Sequence, residues 1–290
     1  MLAPMTSPKT DAELLAALEE VAEENYDRHV GAAQDWESHD FVPWAEGRNF
    51  AFLGGEDWTA AQAGLTDVDR IAATVSVLIA DNLPAYHRDL AFSLRKKGVW
   101  WKWIGRWTAE ENRHAIVLRD FLMTTRAVDP VELERVRIEY MTEGYSAPSL
   151  HVVDMLVKYA LDETAAGLRH RRAAELATEP RLAAIFSRIA QDDELQATFF
   201  RNLVSAALDI EPDLSMRAIA DRVADFAVPV VELPGQGSSS TLLENAGIYT
   251  PEMQSEQVVK PLLQEWNVFE RNDFGADGTA ARDEIASSVS

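Results

Sequence analysis

Apolar residues recur three and four positions apart along nearly the whole chain, and no stretch shows a credible pair of strands. A chain patterned this way can bury its apolar faces only by packing helix against helix. The spacing predicts a first helix over about 11–29, with Leu14, Leu15, Leu18, Val21 and Ala22 on one face. Residues 31–66 are irregular and rich in Gly, Trp and Asp. Four long helices follow over about 67–96, 100–127, 149–178 and 180–209, with Pro84 expected to kink the first of them. A shorter helix over about 130–144 starts at Asp129-Pro130, where Asp suits the N-cap and Pro the first helical position. Glu179-Pro180 separates the last two long helices, because a residue before proline resists the helical conformation. Val228 to Ser240 reads as a linker to short helices near 241–246 and 251–268. The implied architecture is all-α, a four-helix core with flanking helices in a single domain over 1–275. The small, polar tail over 276–290 is expected to fray.

Composition narrows the chemistry. The chain has no cysteine, so disulfides, thiolate metal sites and cysteine nucleophiles are excluded. Any metal must be held by Asp, Glu and His, which favours a hard or borderline ion such as iron or manganese. The net charge of −21, from 27 basic and 48 acidic side chains, argues against nucleic-acid binding. It would also repel an acidic protein, except at a local basic patch. One such patch is Arg95, Lys96, Lys97, Lys102 and Arg106, with no acid among them; Arg169-His170-Arg171-Arg172 is a second. The plain reading of both is a solvated helix end. Apolar runs such as Ile71–Ala80 fall short of the roughly 18–20 residues that span a bilayer, so no membrane span is expected. The first residues lack an Arg-rich transit pattern and a long apolar core, which points to the cytoplasm. There is no phosphate-cradling glycine loop and no catalytic serine motif. His39, His87, His151 and His170 show no ligand spacing to one another.

Glu111-Asn112-Arg113-His114 is the segment that carries chemistry. Residues three apart lie on one helical face, so a carboxylate and an imidazole at that spacing converge on one ion. A helical bundle binds two metals when two helices each give a Glu and two others each give a Glu-x-x-His pair. Ile104, Trp107 and Leu118 lie on roughly the same side, so this face is expected to be buried.

Trp107-Thr-Ala-Glu-Glu-Asn-Arg-His114 closely resembles the first di-iron motif of the soluble acyl-acyl carrier protein (acyl-ACP) desaturases. Trp36–Pro43, Leu53–Trp58, Asp81–Tyr86 and Val128–Glu132 resemble the family in the same way, and the likeness runs from about 11 to 274. It looks closest to the actinobacterial branch. The resemblance implies a ferritin-like homodimer with two irons, an acyl tunnel, acyl carrier protein as substrate carrier, and a ferredoxin-type electron donor. O2 would drive removal of two hydrogens from the chain.

Carried over residue by residue, the family's ligands fall on Glu111, His114 and Glu163, on Asp193 in place of Glu, on Gln196 in place of His, and on Ala80 where a Glu is required. Asp81 is adjacent to Ala80 but about 100° round the helix. Only three of the four expected carboxylates remain. The centre therefore reads as impaired, suited to at most one tightly held iron. Trp36 and Asp192, with His114, match positions that in the family link the surface to the iron. Trp100, Trp101, Trp103 and Trp107 read as packing residues. Arg95, Lys96, Lys97, Lys102 and Arg106 are the candidate carrier-protein docking surface. Two functions stay open: an acyl-ACP oxidoreductase with a reduced metal centre, or a catalytically inactive homologue. The second would bind acyl chains or carrier protein, or partner an active paralogue in a heterodimer.

Overall fold

The computed structural model describes residues 9–143 and 150–288. The N-terminal eight residues, the helix ends expected at 144 and 149, and the last two residues lie outside them. Helix α1 (Asp11–Ala17) opens on a capping box, in which Thr10 and Glu13 bond each other's backbone N–H groups. The chain breaks at Leu18 before α2 (Glu19–Ala32), so the first expected helix is two. Residues 33–66 hold only short 3-10 turns.

The first long helix is also divided, into α3 (Asp67–Asp81) and α4 (Leu83–Ser93). Pro84 has no N–H to give the carbonyl of Ala80, so the helix stops at Asn82 and restarts instead of merely kinking. Lys97 is extended and Gly98 has a φ of 60°, a turn that favours glycine, and α5 (Gly98–Thr124) begins there. Helix α6 (Pro130–Glu143) is capped by Asp129, whose Oδ1 accepts from the Val131 N–H at 2.9 Å. The two longest partners, α7 (Val152–Leu176) and α8 (Pro180–Ile210), share the most extensive helix–helix interface. They meet α3 and α5 around a core in which Trp103 stacks on Phe199 at 3.6 Å. Trp100, Trp103 and Trp107 are buried there, as packing residues would be, while Trp101 points outward.

Helix α9 (Pro212–Ala224) leads to a two-residue antiparallel pair, β1 (Glu232–Leu233) with β2 (Gly237–Ser238). The linker thus contains a small hairpin where no strand pair was expected. Then come α10 (Ser239–Asn245), α11 (Pro251–Gln254), a π turn over Ser255–Val259 and α12 (Lys260–Glu265). The tail corrects the expectation of fraying. It forms α13 (Ala276–Ser288), which packs on α9 with Gly278, Ala281 and Ile285 inward. Those three positions are spaced as one helical face, but with only one large apolar side chain the face is faint in sequence. Asp213 accepts from the Gly275 N–H at 2.7 Å, and Glu284 pairs with Arg217 at 2.8 Å. None of the described helices is long and apolar enough to cross a membrane.

Ile285 is 2% exposed, so Ile285→Ala should lower unfolding stability by about 2 kcal/mol, measured by denaturant titration. A frayed tail would give no change.

Candidate metal centre

Helix α5 places Glu111 and His114 on one face, and α8 brings Asp193 opposite. Together these three offer ligand atoms that all lie within 4.8 Å of one another. His114 Nδ1 is 3.2 Å from Glu111 Oε1 and 3.8 Å from Asp193 Oδ1. Its other nitrogen, Nε2, faces Asp192 Oδ2 at 3.3 Å. A carboxylate that takes the Nε2 proton fixes the tautomer and turns the Nδ1 lone pair towards a metal. Glu111 Oε1 is buried and accepts no hydrogen bond, although the imidazole lies beside it.

Glu163, on α7, accepts from Trp107 Nε1 at 2.8 Å. Burial, reinforced by the charges of Glu111 and Asp193, pushes its carboxyl well above the usual range. Burial opposes a proton on His114, but the charge of Glu111 beside it, the bond to Asp192 and the charge of Asp193 outweigh it, so its pKa rises well above the ordinary value. Asp192 runs the other way. Burial would raise it, yet its bonds to His114 and Trp36 and the charge of Arg188 bring it down to about 2. Trp36 donates to it from Nε1 at 2.8 Å and Arg113 Nη2 at 3.2 Å, while Arg188 pairs with its other oxygen. The suspected line Trp36–Asp192–His114 is therefore continuous in space.

The two weak candidates make other contacts, although Gln196 Oε1 is buried without a hydrogen-bond partner. Asp81 is bound to Arg137 of α6, so its carboxylate is committed elsewhere. Gln196 is fully buried, but its Nε2 donates to Glu110 Oε2 at 3.2 Å. That direction is forced, since an ionised carboxylate only accepts. Glu110 also receives His29 Nε2 at 2.9 Å and is paired with Arg106. Burial would raise the Glu110 carboxyl, but His29 and Arg106 bring it below its usual value.

Four residues of these networks were not singled out from sequence. His29 and Glu110 are 81 positions apart and carry no joint signal. Arg188 and Asp192, four apart on one helix, could have been read as a pair. Arg113 lies within the motif itself. His170 was set aside with a surface cluster, yet its Nδ1 is 2.6 Å from Asp193 Oδ2 and its Nε2 is 3.2 Å from Ser76 Oγ. That cluster is not a solvated patch: Arg169 is buried, and Arg171 and Arg172 pair with Glu194 and Glu175. The first patch is reduced as well. Arg95 bonds the Ala12 carbonyl and Arg106 bonds Glu110, which leaves Lys96, Lys97 and Lys102 exposed beside Phe92 (78% exposed) and Trp101.

The donor set fits one divalent ion, through His114 Nδ1, Glu111 and Asp193. Position 80 carries only a methyl group and offers no donor, while Gln196 gives Nε2 to Glu110 and keeps Oε1 without a partner.

Comparison with known proteins agrees with the fold. The family described as Fatty acid desaturase matches residues 10–290. DesA1 of Mycobacterium tuberculosis, provisionally named an acyl-ACP desaturase, is 36% identical, over 97% of this chain and 86% of its own. The spinach chloroplast stearoyl-ACP 9-desaturase is 25% identical, over 97% and 74%. The solved structure of M. tuberculosis DesA2 superposes with a TM-score of 0.73 at 33% identity, covering 93% of this chain and 99% of that one.

Without metal, Glu163 and His114 both have pKa values raised in the fold, so each adds stability that is lost as pH rises above its ordinary value. Stability should therefore fall as pH rises from 6 to 8, by at most about 1.4 kcal/mol per pH unit for each group. Asp192 acts only below about pH 4, where its contribution is lost as pH drops towards 2. Thermal unfolding of metal-free protein should show a lower Tm at pH 8 than at pH 6, with a shallower fall in Glu163→Gln. A Tm that rises over that interval would contradict this electrostatic picture.

Proposed function

The chain belongs to the acyl-ACP desaturases of the fatty acid desaturase family, and from that premise we propose that it takes the acyl chain of an acyl carrier protein into its bundle, beside a centre for one metal ion. The observation that carries the one-ion reading is the bare methyl group at position 80, beside which Asp81 is bound to Arg137. Bound iron would supply the redox chemistry with O2. The residues of this chain do the rest: Asp192 orients the imidazole, Glu111 and Asp193 supply negative charge, and Trp107 holds Glu163 at the edge of a 410 Å³ cavity. A ferredoxin-type donor would deliver electrons along Trp36, Asp192 and His114, and the working form would be a homodimer.

A second reading is favoured by one contact. His170 holds Asp193 at 2.6 Å, so that acid is satisfied without any ion. A catalytically inactive acyl-binding homologue, or the silent partner of an active paralogue, would look like this. The two readings part on turnover: only the first forms an unsaturated product from acyl-ACP with O2 and reduced ferredoxin.

Carrier docking is assigned to Lys96, Lys97 and Lys102, which flank Phe92 and Trp101 at the α4–α5 turn. Acyl carrier proteins are strongly acidic, and only local positive potential can draw one to a chain of charge −21. Lys96→Glu with Lys97→Glu should weaken acyl-ACP binding at least about tenfold at low salt and leave Tm nearly unchanged. Raising salt should weaken the wild type, because the Debye length drops from about 10 Å at 0.1 M to about 3 Å at 1 M. Unchanged affinity in the double variant would remove the docking surface, and a wild type that binds no acyl-ACP would overturn the function.

A further inference from the structure

Arg169 is a buried cation that neither the candidate metal centre nor the docking surface uses. It sits on α7 beyond Glu163, 9% exposed, and its Nη1 has no partner among the described residues. It lines the 410 Å³ cavity onto which Glu111 and Glu163 also open. That volume is within the range of small-molecule sites, about 300–1,000 Å³. Asp162, two turns before it on α7, is already bound to Lys158 Nζ at 2.5 Å. Part of the cavity wall is apolar, contributed by Ile79, Trp107, Ala166, Pro229 and Val230. Tyr86 and Tyr140 line the cavity as well; burial raises both phenols, and the positive charge of Arg169 opposes that rise.

A buried guanidinium with an unpartnered N–H, in no ion pair among the described residues, is a site for an anion. The same cavity also exposes Glu111, Glu143, Asp162 and Glu163, so a doubly charged phosphate would be repelled where a single carboxylate is tolerated. The planar fork of arginine matches a carboxylate through two parallel hydrogen bonds. The apolar wall asks for a hydrocarbon attached to it. We propose that Arg169 anchors the carboxylate of a free medium-chain carboxylic acid, whose chain lies along this wall. The inference rests on the reading that the bundle takes an acyl chain, and adds the free acid as a second ligand class for the same cavity.

Isothermal titration of the full chain as purified, with octanoate, octanol and acetate as probes, tests this. Octanoate should bind saturably, with octanol and acetate each at least tenfold weaker. Arg169→Gln should weaken octanoate at least tenfold and leave octanol unchanged. Equal affinity of the wild type for octanoate and octanol would overturn the proposal, and that comparison needs no variant to fold. So would octanoate binding that survives Arg169→Gln, or that vanishes when bound metal is stripped, since the ion would then be the anchor. Carrier docking is read separately through Lys96 and Lys97. Lysine-dependent carrier binding without octanoate binding would defeat this inference alone, and octanoate binding without carrier binding would defeat the proposed function alone.

Discussion

A single buried carboxylate, Asp192, ties the centre of this protein together. It receives Trp36 from the segment after α2, Arg113 and His114 from α5, and Arg188 from its own helix. A carboxylate taken out of water costs several kcal/mol unless its lone pairs are filled, and here four donors fill them. Removing it would leave two guanidinium groups and an imidazole short of their shared anion. The same contact decides the chemistry of His114. With Nε2 held by Asp192, Nδ1 faces Glu111 and Asp193, the only orientation in which the three can share an ion.

Adjacent residues on α5 serve two separate networks. Glu110 and Glu111 are one position apart, about 100° round the helix. Glu111 faces His114 and the cavity, while Glu110 faces His29, Arg106 and Gln196. The second network is as deeply buried as the first. It also fixes how position 196 is presented: Nε2 is given to the buried Glu110, and Oε1 is left without a hydrogen-bond partner. The substitution at 196 and the His29–Glu110 pair are thus one structural unit.

The helical core was legible because its signal is periodic: α5, α7 and α8 sit within a few residues of where apolar spacing and Asp129-Pro130 or Glu179-Pro180 put them. The Glu111–His114 pair was legible for the same reason, since a spacing of three is a local property. Asp193 and Glu163 came from resemblance, and the cavity brings Glu163 beside Glu111. What could not be read depends on contacts between distant segments. His29 with Glu110 and His170 with Asp193 join helices far apart in the chain, and no local pattern announces such pairs. Local composition misled in two places. The run of cations from Arg95 to Arg106 looked like one surface, but Arg95 and Arg106 turn to internal acceptors. The tail looked too polar to pack, yet Ile285 with two small neighbours suffices to seat a helix on α9.

The account stands on a donor set that suits one ion, and counting metal per chain tests that most directly. After reconstitution with excess Fe(II) and removal of loose metal, elemental analysis should give no more than one iron per wild-type chain. The combined variant Ala80→Glu, Asp193→Glu, Gln196→His should move towards two, while the single changes should do far less, because ligands of a shared centre act together. Two irons per wild-type chain, with the absorption band of an oxo-bridged pair, would contradict the account and show that the shell is completed without the residues at 80 and 196.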